Sequence, residues 1–327
     1  MSVATSTPIA EGDAGAKLPL LTRNWWYTQP MMRGDEVFIA QRLLNERAGA
    51  GLKPDGLFGA ATQAAVKAFQ RRRGLVDDGV LGPVTWAALI GVPQPPLRSG
   101  VAAVLDEAAL AALQQPHSRY PDGAKWRLTR DGVEVAGRID KPEQAESDLA
   151  ARVLADFADA MITASVRFPV PMELVVATIC AESSGNPRAK RLEPGCDFED
   201  PSRTPRRISV GLMQTLLSTA REALGDDTLT VVQLENPSVS IRAGMAYMWR
   251  QAGGTRFDPP LVACAYNAGS VRYEGSAANR WKLAQYPIGT SKHADRFVRY
   301  FNAAIRATAA APGAVRDPGV TFLGLLQ

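Results

Sequence analysis

One short motif occurs twice in this chain. Asp55-Gly56-Leu57-Phe58-Gly59 is followed by Thr62, and Asp78-Gly79-Val80-Leu81-Gly82 is followed by Thr85, the two copies lying 23 residues apart. A fixed repeat restricts a fold more tightly than composition does, because one supersecondary unit must form twice and share a core. Asp-Gly makes a turn, and the second glycine allows tight chain reversal where a helix begins. After the first copy, Thr62, Ala65, Val66 and Phe69 fall at i, i+3, i+4 and i+7, one face of a helix. The second copy leads into Thr85, Trp86 and Leu89. Ahead of both, Val37, Ala40 and Leu44 mark an earlier helix. The pattern predicts three short helices around one small core, over residues 31–92. Arg71-Arg72-Arg73 reads as a solvated helix end, with contact to an anionic polymer as the alternative.

At 327 residues the chain has room for two or three domains. Residues 1–30 are rich in small and polar residues up to Trp25-Trp26-Tyr27, and read as a flexible leader that docks late onto the first domain. Three prolines within Gly91–Gly100 mark a semi-rigid linker. Residues 101–115 read as helix. Trp126 and Leu128, then Val133 and Val135, flank Asp131-Gly132, which is a hairpin signal. Residues 93–140 are therefore expected to be a linker carrying a helix and a hairpin. Residues 141–310 form the second domain, beginning with a long helix marked by Leu149, Val153, Phe157, Met161 and Phe168 and ending before Pro169. A tail of irregular chain follows over 311–327. The expected class is mainly α, with a short β-hairpin in the connecting segment.

Composition narrows the function classes. The net charge of +4 is mild, and is compatible with approach to anionic wall polymers. Cys180, Cys196 and Cys264 fit neither a metal site nor a disulfide framework, and read as free thiols with a Cys180–Cys264 bridge left open. His117 and His293 are the only histidines, and they stand in separate regions. No metal or cofactor is implied. Phosphate-loop, Ser-His-Asp and nucleic-acid-binding patterns are not present. No window reaches the apolar length of a membrane span. Leu18–Leu21 is too short for the core of a signal peptide.

The chemistry is expected after Pro171. Val175, Ile179 and Glu182 follow at spacings of four and three, so one carboxylate shares a face with core residues. Ser183-Ser184-Gly185-Asn186-Pro187 then stops the helix. A carboxylate there should sit at a cleft edge, where desolvation raises its pKa toward the range of a general acid. Ser209-Val210-Gly211-Leu212-Met213-Gln214 leads into another helix. Asn236-Pro237 caps a helix with Ile241, Met245, Tyr247 and Met248, and Asp258-Pro259 starts one ending at Tyr266-Asn267-Ala268-Gly269. Tyr266 and Asn267 could form a cleft rim; the alternatives are a core aromatic and a helix C-cap.

Residues 34–90 resemble the three-helix peptidoglycan-binding module, on the Asp-Gly repeat. Residues 170–305 resemble the soluble lytic transglycosylase domain, which has the lysozyme fold. The second resemblance rests on four ordered motifs: Glu182–Pro187, Gly211–Gln214, the helix from Asn236-Pro237 to Tyr247, and Ala265–Gly269. Together the chain looks like a modular peptidoglycan-degrading endolysin. The resemblance implies Glu182 as acid and base. It implies Ser209, Met213 and Gln214 beside the N-acetyl sugar, and Tyr247, Tyr266 and Asn267 along the cleft. Asp55 and Asp78 lie in the loops expected to face the wall. Two departures stand out: a long Lys190–Arg207 loop, and Phe297 where the family often has a cleft tyrosine.

The implied reaction cleaves the β-1,4 bond between N-acetylmuramic acid and N-acetylglucosamine and closes a 1,6-anhydro ring. One carboxylate suffices, whereas ordinary glycosidases use two. The alternative is a goose-type lysozyme, a hydrolase with a second carboxylate among Glu193, Asp197, Glu199 and Asp200. A further alternative is a non-catalytic wall-binding virion protein. The expected partner is the peptidoglycan glycan strand, met by a monomer. The expected history is synthesis in the host cytoplasm without a signal peptide, delivery by a holin or another export route, and action in the periplasm or outside the cell.

Overall fold

The computed structural model describes residues 21, 25–28, 30–75, 77, 79–91, 101, 104–311 and 321–326. It divides into two units, Met1–Leu97 and Arg98–Gln327. Asp78, most of the leader and most of the proline-rich linker lie outside the described residues.

In the first unit, helices α1 (Asp35–Ala48), α2 (Ala60–Arg72) and α3 (Pro83–Ile90) enclose a core of Val37, Leu44, Phe58, Val66, Phe69, Leu81, Trp86 and Leu89. Each Asp-Gly turn is clamped by a buried glutamine from the helix before it. Gln41 Oε1 accepts the N–H groups of Asp55 (3.0 Å) and Gly56 (2.9 Å), while its Nε2 lies 3.0 Å from Leu57 O and Thr62 Oγ1. Gln70 repeats this on Gly79 N, Val80 O and Thr85 Oγ1. The repeated threonine is thus the second anchor of the clamp. Gly56 and Gly79 take φ of 73° and 75°, where a side chain would be strained.

Two further segments belong to this unit's own structure. Leu21 and Trp25 are buried in this core, and Trp25 exchanges backbone hydrogen bonds with Leu81, so the end of the leader is part of the domain. Asp55 is bound into its own turn, accepting from Leu57 N (2.9 Å) and Gln41, and these bonds hold its carboxyl below the usual range. The arginine run is also spent locally: Arg71 pairs with Asp77, Arg72 donates to Ala48 O, and Arg73 lies over the Phe69 ring.

In the second unit, α4 (Glu107–Leu113) precedes an antiparallel sheet of β1 (Trp126–Thr129), β2 (Gly132–Val135) and β3 (Arg138–Ile139). Thr129 pairs with Gly132, so the two-residue turn is Arg130-Asp131 and Gly132 opens β2. This sheet is no linker. Trp126, Leu128, Val133 and Val135 are buried in the main core, and Trp126 Nε1 donates to Asp258. His117 Nε2 also meets Asp258, at 3.0 Å. Two rings from the connecting segment thus converge on one carboxylate.

Helix α5 (Gln144–Ser165) ends earlier than its apolar stripe suggests, and Phe168, the residue that Pro169 keeps from continuing a helix, is buried beyond it. Helix α6 (Met172–Ser183) is buried continuously from Met172 to Ala181. It is therefore the central helix of the unit, buried on every side rather than on one stripe. A second antiparallel sheet follows, ordered β4 (Lys190–Leu192), β5 (Ile208–Val210), β6 (Thr215–Leu216). Then come α7 (Leu217–Leu224), α8 (Val231–Leu234), α9 (Pro237–Thr255), α10 (Pro259–Ala268) and α11 (Lys292–Ala310). Helix α11 packs along α6 and α5 and buries Phe297, Phe301 and Ile305.

The end of the described chain is not an irregular tail. Residues Phe322–Leu325 form a short helix, α12, with Phe322 edge-on to Phe301 at 5.5 Å between ring centres. Glu173, fully buried in the first turn of α6, accepts the N–H groups of Phe322 (3.0 Å) and Leu323 (3.3 Å). All three cysteines are free and buried, and burial pushes the Cys180 thiol up to about 12. Among the described residues, no helix is long and apolar enough to cross a membrane.

Candidate active site

Helix α6 stops at Ser184 and Gly185, which take φ of 53° and 80°. Glu182 stands on its last turn with 20% of its side chain exposed. Burial pushes its carboxyl up to about 7, against the opposing pull of Arg296 and Arg191. No hydrogen-bond donor among the described residues holds that carboxyl. Both forms of the acid are therefore accessible near neutral pH, and the group remains open to a ligand.

The Gly211-Leu212-Met213-Gln214 turn joins β5 to β6. Gly211 has φ of 78°, and a Cβ there would stand 2.3 Å from Leu234 O. Only glycine lets the turn lie this close to the chain behind it. Gly211 N donates to Ala189 O at 2.8 Å, and Gln214 Nε2 donates to the same carbonyl at 2.8 Å and to Gly211 O at 3.0 Å. The Gln214 side chain thus fastens the turn to the strand leaving α6. Met213 is fully buried against Gly244, with its N–H on Ser240 Oγ at 3.1 Å. Its side chain does not line a cleft; its carbonyl accepts the Tyr266 hydroxyl at 2.9 Å. Ser209 is half-buried in β5, paired with Arg191 and Leu216.

Tyr266 also meets Thr215 Oγ1 at 2.9 Å, and its ring stands edge-on to Tyr247, 5.3 Å between centres. Burial, with Glu182 among the nearby charges, pushes its hydroxyl well above the usual tyrosine range. It is therefore a neutral donor beside the acid. Asn267 is not a C-cap: Gly269 ends α10, and Asn267 Oδ1 accepts Tyr286 N at 2.6 Å. The structure thus ties Glu182, the Met213 turn, Tyr266 and Tyr247 into one neighbourhood, and links Asn267 to the Tyr286 loop.

Three of the four loop carboxylates are occupied elsewhere, and the fourth, Glu199, is exposed. Glu193 pairs with Arg191 at 2.9 Å. Asp197 accepts the N–H groups of Glu199 and Asp200, and Asp200 accepts Ser202 N. Arg203 lies between Asp197 and Asp200, and Glu199 is exposed. None of the four is among the charges that move the Glu182 titration. Phe297 is buried in the core, so its position offers no group to the cleft.

Two neighbours were invisible in the sequence. His293 Nε2 lies 3.9 Å from Glu182 Oε1, and burial and Arg296 push its imidazole down to about 4, so it is neutral. Arg296, one turn on, acts on both groups. A histidine and an arginine more than a hundred residues from Glu182 carry no local signal; only the packing of α11 on α6 brings them in. Among the described residues, no three His, Cys, Asp or Glu side chains cluster to hold a metal ion.

Residues 33–89 match the family described as "Putative peptidoglycan binding domain", and residues 159–287 match the Transglycosylase SLT domain family. The chain carries a domain of each family, and the second has the mainly α, lysozyme-like fold. It is similar over 67 residues (45% identical) to a Kitasatospora aureofaciens protein described as "Uncharacterized protein in bpoA1 3'region", covering 19% of this chain and 57% of that one. It is similar over 88 residues (34% identical) to the zinc D-Ala-D-Ala carboxypeptidase of Streptomyces albus G, covering 25% and 34%. The chain thus spans little more than half of one relative and a third of the other. Among solved structures, an inactive mutant of the Pseudomonas aeruginosa lytic transglycosylase Slt aligns at 16% identity and TM-score 0.32, over 88% of this chain and 39% of that one. A Burkholderia AP3 phage endolysin aligns at 21% identity and TM-score 0.20, over 88% and 99%.

Proposed function

We propose that this chain is a peptidoglycan lytic transglycosylase, with Glu182 as both acid and base. The observation that carries the reading is Glu182 itself: an open, unheld carboxyl poised near 7, inside a domain of the Transglycosylase SLT family. Protonated Glu182 gives its proton to the glycosidic oxygen as the C1–O bond breaks. Positive charge at C1 is met by the acetamido oxygen of the same sugar. The Glu182 carboxylate then takes the proton of the 6-hydroxyl as that oxygen bonds to C1, closing a 1,6-anhydro ring. No water is consumed, and the acid is restored.

The surroundings suit both halves. Burial favours the protonated form of Glu182, and Arg296 and Arg191 favour the anion formed when the proton leaves. The Tyr266 hydroxyl and the Met213 turn make a fixed polar wall, suited to an N-acetyl sugar. Ser209, Gln214, Tyr247 and Asn267 support that wall. With Asp197 and Asp200 bound into their own loop, Glu193 paired with Arg191, and none of the four loop carboxylates acting on the Glu182 titration, transglycosylation is favoured over hydrolysis by a second acid. The first unit would hold the enzyme on the wall, raising the local concentration of glycan strands. We read the two domains as a monomeric endolysin, delivered by a holin or another export route.

Mass analysis of digested peptidoglycan tests the reaction. Products one water lighter than reducing muropeptides are expected; reducing ends alone would mean a hydrolase. Expression with and without a co-expressed holin tests the delivery, and lysis is expected only with it.

A further inference from the structure

Residues 269–291 join α10 to α11 with no helix and a single isolated bridge, Tyr273 to Leu283. A connection this long in a compact domain is usually either disordered or functional. This one is held from inside. Asn279, Trp281 and Gln285 are fully buried. Asn279 Nδ2 donates to Glu274 Oε2 (2.7 Å) and Leu283 O (2.8 Å), Trp281 Nε1 donates to Asp295 (2.7 Å), and Gln285 Oε1 accepts Ala294 N (2.9 Å). Two of the outward side chains on this ordered loop are aromatic: Tyr273, 53% exposed, and Tyr286, 54% exposed.

Tyr273 is exposed without being loose. Its hydroxyl donates to Asp122 Oδ2 at 2.8 Å, and its ring meets Tyr120 edge-on, 5.0 Å between centres. Gly275 lies against the same ring, where a Cβ would stand 3.1 Å from the hydroxyl. Tyr120 and Asp122 come from the connecting segment, outside both stretches that match a family. That segment is fastened here by Ala124 N, which donates to Arg280 O at 2.7 Å. An exposed side chain ordinarily loses rotamer freedom when a ligand lands on it; folding has already fixed this one. Asp122 is itself exposed, and its Oδ1 has no partner among the described residues.

A fixed aromatic face beside a carboxylate suits a sugar. The C–H face of a pyranose lies on the ring, and its hydroxyls donate to the carboxylate. The negative charge disfavours anions, so the fitting sugar ring is uncharged. The loop also connects the platform to the cleft. Glu274 N donates to Lys282 O (3.1 Å), Ala284 N to Arg272 O (2.8 Å), and Tyr286 N to Asn267 Oδ1 (2.6 Å) at the candidate active site. A linear strand that leaves the cleft along this loop passes Tyr286 and then Tyr273.

We propose that Tyr273, braced by Tyr120 and Asp122, is a distal subsite for an uncharged sugar ring of the glycan strand, through which the connecting segment gives the enzyme a preference for long strands. The proposal rests on the glycan-cleaving reading above.

Steady-state cleavage by the full chain tests it on peptide-free strands sorted by length, tetrasaccharides against strands several times longer. The wild type should show a KM about tenfold lower on the long strands, the scale of one aromatic contact. Tyr273→Ala should raise the long-strand KM to the short-strand value. Tyr273→Phe keeps the ring and should keep most of the preference. Asp122→Asn should weaken it about threefold. A wild type without a length preference, or a preference that survives Tyr273→Ala, overturns the proposal. So does an equal loss on short and long strands, which marks a merely structural role.

A binding titration separates this from the functional reading. In the Glu182→Gln background, affinity for soluble N-acetylglucosamine oligomers should rise about tenfold from short to long, and Tyr273→Ala should remove that rise. Whatever the first unit binds is common to both variants, so the difference belongs to Tyr273. The same rise in both variants overturns the proposal even if cleavage is as described. Full cleavage by Glu182→Gln would instead overturn the functional reading.

Discussion

Glu173 and Glu182 stand near opposite ends of α6, about 14 Å apart along the axis. Burial pushes both carboxyls to about 7. Their settings otherwise differ. Glu173 is sealed, and its oxygens accept two backbone N–H groups of α12. Glu182 is partly exposed, held by no donor, and faces His293 and Tyr266. A raised pKa therefore does not by itself mark a reacting group; access to a ligand and freedom from structural bonds do. One helix uses the same side chain once to fasten a segment and once to keep a proton available.

The largest expected effect breaks the pair apart. Glu182→Gln should lower glycan cleavage by about a thousandfold, the scale of lost general acid–base chemistry. Glu173→Gln should leave the rate within about threefold at 25 °C, measured on the same peptidoglycan. Stability should show the reverse. Glu173→Ala strands the buried N–H of Phe322 and the part-buried N–H of Leu323 and should cost about 2–3 kcal/mol, read by urea denaturation.

pH sharpens the contrast. A carboxyl with a folded pKa near 7 and an ordinary unfolded value holds its proton longer in the folded state. Its stabilising contribution is full below about pH 4.5 and is lost as pH rises through about 7, a change on the order of 3 kcal/mol for Glu173. Wild-type stability should therefore fall from pH 5 to pH 8, and Glu173→Gln should flatten that slope. Cleavage should also fall above about pH 7, since the acid must start protonated, and Glu173→Gln should leave this limb in place. A smaller effect is expected at the cleft wall. Tyr266→Phe, which removes the donor to Met213 O, should slow cleavage about tenfold at unchanged substrate specificity. The smallest is in the long loop: Asp197→Asn and Asp200→Asn should each change the rate by less than about threefold.

The legible parts of this molecule are the ones built from local chemistry. The Asp-Gly turns, the helices behind them and the stop after Glu182 follow from neighbouring residues. The Gln41 and Gln70 clamps are hidden because each glutamine lies on a helix before the turn it holds. Strands β4 to β6 are only two or three residues long, too short for an alternating pattern. The 126–135 hairpin was readable, but not its destination, which depends on Trp126 reaching Asp258 across 132 residues. The site shows the same division. Glu182 and the Met213 turn stand out by motif, whereas His293, Arg296 and the α12 contact with Glu173 arise only from packing.

Muropeptide release from purified peptidoglycan across pH 5–9, by wild type and Glu182→Gln, tests the central claim most directly. The expected result is anhydro-muropeptide release by the wild type that declines above about pH 7, with none above background from the variant. Release by Glu182→Gln at the wild-type rate would contradict the account.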